Sequence, residues 1–233
     1  MNKKIMPTST LLNPVPVVMI SCAGKDKEKP ESRPNIVTVA WTGTINSEPP
    51  MVSISLRKSR HSYPLIEETG EFVINLVSES LCKAVDYCGV KSGADEDKFA
   101  SLALHAAPAS GLQYAPAIDE APISLSCKVI SKTELGSHDM FIAEVVSTEV
   151  DERLFDEKGK ICLEKANLVA YVHGEYFSLG KMLGFFGYSV ASKDVLERRM
   201  PKTKTIKSEQ KGKQGRQSVT KTAPAKTKKK KTK

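Results

Sequence analysis

From residue 15 to about 185 the chain alternates short apolar runs with polar breaks, and most runs have the two-residue period of a strand with one face on a core. VPVVMISC (15–22) predicts a first strand and KDKEKPESRP (25–34) a charged, proline-containing loop. NIVTVAWTGTI (35–45) predicts a second strand, returning beside the first as a long-looped hairpin. In MVSISL (51–56), Val52, Ile54 and Leu56 alternate with Met51, Ser53 and Ser55. In EFVINLVS (71–78), Phe72, Ile74 and Leu76 lie opposite Val73, Asn75 and Val77. The second half repeats the theme in APISLSCKVISKTEL, DMFIAEVVSTEVD and NLVAYVHGEYFSLG, with TELGSHD as a turn between the first two.

Two segments have helical signals. YPLIEETG (63–70) places Pro64 in a first turn and Gly70 just past the end, and ESLCKAVDYCGV (79–90) spaces Leu81, Ala84, Val85 and Cys88 helically with Gly89 as a stop. KSGADEDKF (91–99) reads as a loop. Many strands, few helices and long loops predict a mainly β fold with peripheral helices, a barrel rather than alternating βαβ units.

Composition changes this picture at one end. The 233 residues, 40% of them hydrophobic, suffice for one sizeable core. The formal charge of +8 is unevenly spread: residues 198–233 hold 15 basic residues against Glu209 alone, a net +14, and residues 1–197 hold 20 basic against 26 acidic, a net −6. The expected organisation is a domain over 1–197 and a disordered, Lys-rich tail over 198–233, whose composition cannot offset its ordering entropy. The five cysteines are odd in number and form no C-x-x-C pair, which points to reduced thiols, no metal and a cytoplasmic protein. Asn13, Pro14 and Pro16 interrupt the only segment resembling a signal peptide, and no segment reaches the ~20 apolar residues of a membrane span.

No G-x-G-x-x-G after a strand, G-x-x-x-x-G-K-[ST], H-E-x-x-H or G-x-S-x-G is present, which disfavours a Rossmann site, a P-loop, a zincin and an α/β-hydrolase. What remains is a cluster of donors in SLRKSRHSY (55–63). Ser55, Arg57, Arg60, His61 and Ser62 stand just before a helix N-terminus, a combination suited to a phosphate. The same residues also read as a solvated turn. Lys98 is a second donor, and TVAWTGT (38–44) supplies Thr38, Thr42, Thr44 and the single tryptophan, Trp41, which also reads as ordinary packing. By default the four histidines lie at the surface.

The order TVAWTG, SEPPMVSISLRKSRHSYPLI, TGEFVINLVS, then DYCGVKSGADEDKFASLAL and APISLSCKVISKTELGSHDMFIAEVV, resembles the flavin reductase-like family, over about residues 10–185 and nearest its flavoredoxin type. The resemblance implies an FMN-binding split β-barrel. It places Thr38, Val39, Ala40, Trp41, Thr42, Ser55, Leu56, Arg57, His61 and Ser62 around the flavin, with Lys98 at the phosphate or ribityl chain and Arg60 and Cys88 as further candidates. His138 in GSHD is implied to orient the nicotinamide of an NAD(P)H donor, against the alternative of an ordinary turn histidine. A homodimer is also implied. Three functions follow: an NAD(P)H:flavin reductase, an FMN electron carrier served by a redox protein partner, or a protein whose tail contacts nucleic acid or another polyanion.

Overall fold

The computed structural model describes residues 1–200, so the tail expected from residue 198 lies outside the described residues from 201 onward. In chain order the elements are β1 (Val15–Pro16), β2 (Val18–Cys22), β3 (Asn35–Val39), β4 (Thr42–Ser47), β5 (Pro50–Leu56), α1 (Ser62–Thr69), β6 (Glu71–Leu76) and α2 (Cys82–Val90). There follow α3 (Lys98–Ser101), β7 (Ala106–Ala107), β8 (Ala117–Ile118), β9 (Ile123–Glu134), β10 (Asp139–Val150), β11 (Val169–Val172), β12 (Glu175–Ser178) and α4 (Lys193–Arg199). The expected mainly β fold with peripheral helices is what these elements build.

Seven strands form one antiparallel sheet in the order β3-β2-β6-β9-β10-β5-β4. Its outer strands, β3 and β4, are joined by Ala40 and Trp41 alone. Laid flat, seven strands at ~4.8 Å spacing would hold their outer members roughly 29 Å apart. Three Cα steps reach only about 11 Å. The sheet must therefore curl until its edges approach; the Ser55 N–H, donating to the Trp41 carbonyl at 2.8 Å, extends the β4–β5 ladder by one residue into this short crossing.

Curling gives the sheet an inside. Ile20, Val37, Val39, Val52, Ile54, Leu56, Phe72, Ile74, Phe141 and Ala143 pack there, with Tyr63, Leu65 and Ile66 of α1. Outside, Met19, Ile36 and Ile118 meet Leu81, Val85 and Cys88 of the α2 region and Phe99 of α3 in a second cluster. β2 and β6 are covered on both faces, which is why their sequences are nearly continuous apolar runs.

Three expectations change. The run 35–45 is two strands on opposite edges of the sheet, broken at Ala40–Trp41, because the chain must leave one edge and join the other. The run 167–180 is a hairpin, β11–β12, turning at His173 and Gly174, both at positive φ (47° and 100°), and it pairs with β1 in a separate three-stranded sheet. Gly89 does not stop α2 but lies inside it, where a Cβ would come within 3.2 Å of the Thr38 Cβ, so its missing side chain lets the helix approach β3. Gly70, by contrast, closes α1 at φ 68° as expected.

The compact unit carrying these sheets is Met1–Gly180, and the next begins at Lys181. Among the described residues of that second unit, Phe185 meets Tyr188 edge-on and carries the Arg199 guanidinium over its ring at 3.9 Å. Helix α4 runs through the boundary expected at 197/198.

Candidate functional site

Two cavities open where β3, β5 and α2 converge. The first, about 480 Å³, has a floor of Thr38, Val39, Ala40 and Trp41, the segment where the chain crosses between sheet edges. Ser55, Leu56 and Arg57 enter from the end of β5, and Gly89 and Val90 from the end of α2. The lining also includes His138, the residue before β10, and Tyr171 and Tyr176 of the β11–β12 hairpin. Tyr176 donates its hydroxyl to Asp86 at 3.1 Å, and burial followed by that carboxylate pushes its pKa up to about 12.

The second cavity, about 350 Å³, lies under the loop that follows β5 and is lined by Ser59, His61, Ser62, Lys91, Ser92, Gly93, Asn35 and Lys98. Arg57 and Arg60 line both cavities, so the two guanidinium groups stand between them. Burial, then the charges of Arg33 and Lys98, hold His61 below its ordinary pKa. Its Nε2 is buried and has no hydrogen-bond partner. A buried polar atom left unpaired costs about 1–3 kcal/mol, so an anionic acceptor here has a partner waiting. His138 is held low by its own burial and by Arg57 and Arg60.

The residues singled out from sequence divide into groups. Thr38, Val39, Ala40, Trp41, Ser55, Leu56, Arg57, Arg60 and His138 line the first cavity, and Arg57, Arg60, His61, Ser62 and Lys98 the second. Thr42 and Cys88 line neither. Thr42 donates its hydroxyl to the Ser53 carbonyl at 2.8 Å, a strand contact. Cys88 is fully buried in the outer core, its thiol pushed up to about 11 by burial. Lys98 is only 2% exposed and donates to the carbonyls of Ile36 at 2.7 Å and Cys88 at 3.0 Å, tying α3 and α2 to β3. Two of its three protons are thereby used. The helix N-terminus also offers less than its position implied: the Tyr63 N–H is spent on the Arg60 carbonyl and Pro64 has none.

Sequence reasoning missed the Asn35–Gly93 contact and the tyrosine wall. Asn35 is buried and donates to the Ser62 hydroxyl at 2.7 Å, fixing the start of α1 against β3. A Cβ on Gly93 would lie 2.1 Å from the Asn35 side-chain oxygen, so only glycine permits this wall. Period-two patterning marks Asn35 as a strand start and nothing more. Tyr171 and Tyr176 lay in a run read as one strand, which hid the hairpin that brings them together 5.6 Å apart.

Chemically, the arrangement suits a ligand with an anionic end and a flat, hydrogen-bonding body. The second cavity offers guanidinium, imidazole, ammonium and hydroxyl donors to an anion. The first offers apolar walls of Val39, Leu56 and Trp41 together with backbone and hydroxyl groups. The donor set fits the phosphate of a flavin mononucleotide, and the wider cavity fits its ring.

Residues 11–180 match the family described as "Flavin reductase like domain". Among solved structures, the flavoredoxin of Desulfovibrio vulgaris (Miyazaki F) is 34% identical, with a TM-score of 0.73 over 81% of this chain and 99% of that one. Its likeness agrees with the split-barrel reading of the curled sheet. Among characterised relatives, the reductase component of the Rhodococcus opacus 4-nitrophenol 4-monooxygenase/4-nitrocatechol 2-monooxygenase is 30% identical over 112 residues, 48% of this chain and 56% of that protein. The FMN reductase (NADH) RutF of Pseudomonas syringae pv. syringae is 27% identical over 103 residues, 44% of this chain and 55% of that protein. With the family matched across most of the folded unit and a flavoredoxin aligned along nearly its whole length, the chain belongs to the flavin reductase-like family, close to the flavoredoxins.

Proposed function

We propose that the chain binds FMN across the two cavities and is an NAD(P)H-dependent oxidoreductase that passes electrons to a free flavin or another acceptor. The observation that carries this reading is the position of Arg57 and Arg60, shared by a donor-lined cavity with an unpartnered His61 Nε2 and by a wider cavity floored by Thr38–Trp41. When bound, FMN supplies the hydride and electron chemistry, and the protein supplies position and electrostatics. In that division of labour Arg57, Arg60, His61 and Ser62 hold the phosphate, and the Thr38–Trp41 segment and Leu56 wall the ring. His138, which also lines the first cavity, orients the donor.

A second reading is an electron carrier that keeps its FMN and is reduced by a protein, favoured by the likeness to flavoredoxin. The visible spectrum of the purified protein separates the two. Flavin absorbance that bleaches on anaerobic addition of NADH or NADPH supports the reductase, and absorbance that persists with both and bleaches with a reduced redox protein supports the carrier. A colourless protein with no FMN affinity would overturn both.

We further propose a cytoplasmic homodimer, with polyanion contact confined to the basic tail. Among the described residues no helix is long and apolar enough to cross a membrane.

A further inference from the structure

Four basic side chains crowd into residues 57–61, and one of them faces away from both cavities. Arg57, Arg60 and His61 line the cavities, whereas Lys58 reaches Glu134 at 3.1 Å and Asp139 at 3.5 Å, at the two ends of the β9–β10 turn. The Lys58 side chain is 54% exposed and that of Asp139 only 1%. Asp139 also accepts from the buried Tyr63 hydroxyl at 2.5 Å, and Tyr63 is the second residue of α1. Tyr63 in turn accepts from Lys132 of β9 at 3.1 Å, and Lys132 is paired with Glu67.

One carboxylate therefore ties together three segments: the cationic loop through Lys58, α1 through Tyr63, and the turn that carries His138 as its chain neighbour. We propose that Asp139 is a positioning residue, a latch that holds the 57–61 loop against the β9–β10 turn so that Arg57, Arg60 and His138 stay gathered around the first cavity. The loop needs such a latch because its own like charges repel; among the described ion pairs the acids that reach it are Glu134 and Asp139, and of the two only Asp139 is buried and bonded onward to α1. The second oxygen of Asp139 is buried without a partner. Such a carboxylate is tolerated because Tyr63 and Lys58 hold its pKa below the usual range.

The role in cofactor retention rests on the proposed FMN function; the order of the loop does not, so two measurements on the full-length protein separate them. In hydrogen exchange without added ligand, Asp139→Asn and, independently, Lys58→Met are expected to speed exchange at 57–61 and 135–138 while β6 and the adjoining part of β9 stay as slow as in the wild type. Stopped-flow release of FMN is expected to quicken about tenfold in Asp139→Asn, where a buried charge-assisted bond is lost. In Lys58→Met, where the pair is half exposed, about threefold is expected. Exchange unchanged in both variants, or raised equally throughout the barrel, overturns the latch whatever the protein binds. A wild-type protein without FMN affinity would sink the proposed function and leave the exchange result to decide the latch; FMN release unchanged in both variants would overturn the role in retention. If Asp139→Asn does not fold, Lys58→Met alone decides, since its partly exposed side chain is outside the core.

Discussion

Lys98 illustrates how a residue can line a ligand cavity and still be needed first for the fold. Its ammonium supports two carbonyls that α2 and β3 leave open, so Lys98→Met is expected to cost about 1–3 kcal/mol for the groups left unpaired, read as a lower urea midpoint at unchanged slope. Ser62 is similar: Ser62→Ala strands the buried Asn35 amide and should lower stability together with FMN affinity. Arg57 stands exposed between the cavities, and Arg57→Ala should weaken FMN about tenfold, the loss of one charge-assisted contact, with no change in the urea midpoint. His61 adds a pH dependence. Its pKa in the ligand-free fold lies below 6.5, so stability falls as pH drops through that value, where the unfolded chain binds the proton more readily. A phosphate beside it reverses the sign by favouring the charged ring. FMN affinity in the wild type, relative to His61→Gln, should therefore rise from pH 8 to pH 6, measured by flavin fluorescence quenching; parallel pH profiles would exclude His61 from the phosphate contact.

At the scale of elements, local pattern and tertiary pairing carried different information. MVSISL was legible because Val52, Ile54 and Leu56 all face one core, and Gly70 because an αL residue ends α1. NIVTVAWTGTI reads as one strand because strand-forming residues run on through Ala40 and Trp41 with no turn signal, while the hydrogen-bonding partners change from β2 to β5. Periodicity reports which face is covered and says nothing about which strand covers it. The order of donors in SLRKSRHSY was legible too, but not that Lys58 turns to the acids of the β9–β10 turn, since those lie some 80 residues away. Nor could spacing show that Gly93 is pressed against Asn35. Gly93→Ala would force that contact apart, and overpacking of this kind costs about 1–3 kcal/mol. It should widen the second cavity and weaken FMN by at least an order of magnitude; an unaltered affinity and urea midpoint would show that the 91–97 loop yields freely.

The whole molecule divides its charge more sharply than its total of +8 shows. Residues 1–197 carry −6, and the donors that suit a phosphate are gathered into one loop and two cavity walls, where burial and neighbouring groups give them direction. Residues 198–233 carry +14 with almost no apolar content, which suits a charged partner without a shaped one. A polyanion and FMN should then address different parts of the chain and respond differently to salt. Polyanion contacts release counterions and weaken steeply as salt rises, whereas an FMN phosphate in a partly buried cavity is screened far less. Removing residues 201–233 is therefore expected to abolish binding of a labelled DNA duplex at 50 mM salt while leaving FMN affinity within about twofold. In the full-length chain, raising salt to 200 mM should release DNA and retain FMN. Equal DNA binding by the full-length and shortened chains would move the polyanion site onto the acidic body, with the cationic loop that lines both cavities as the first place to test by substitution.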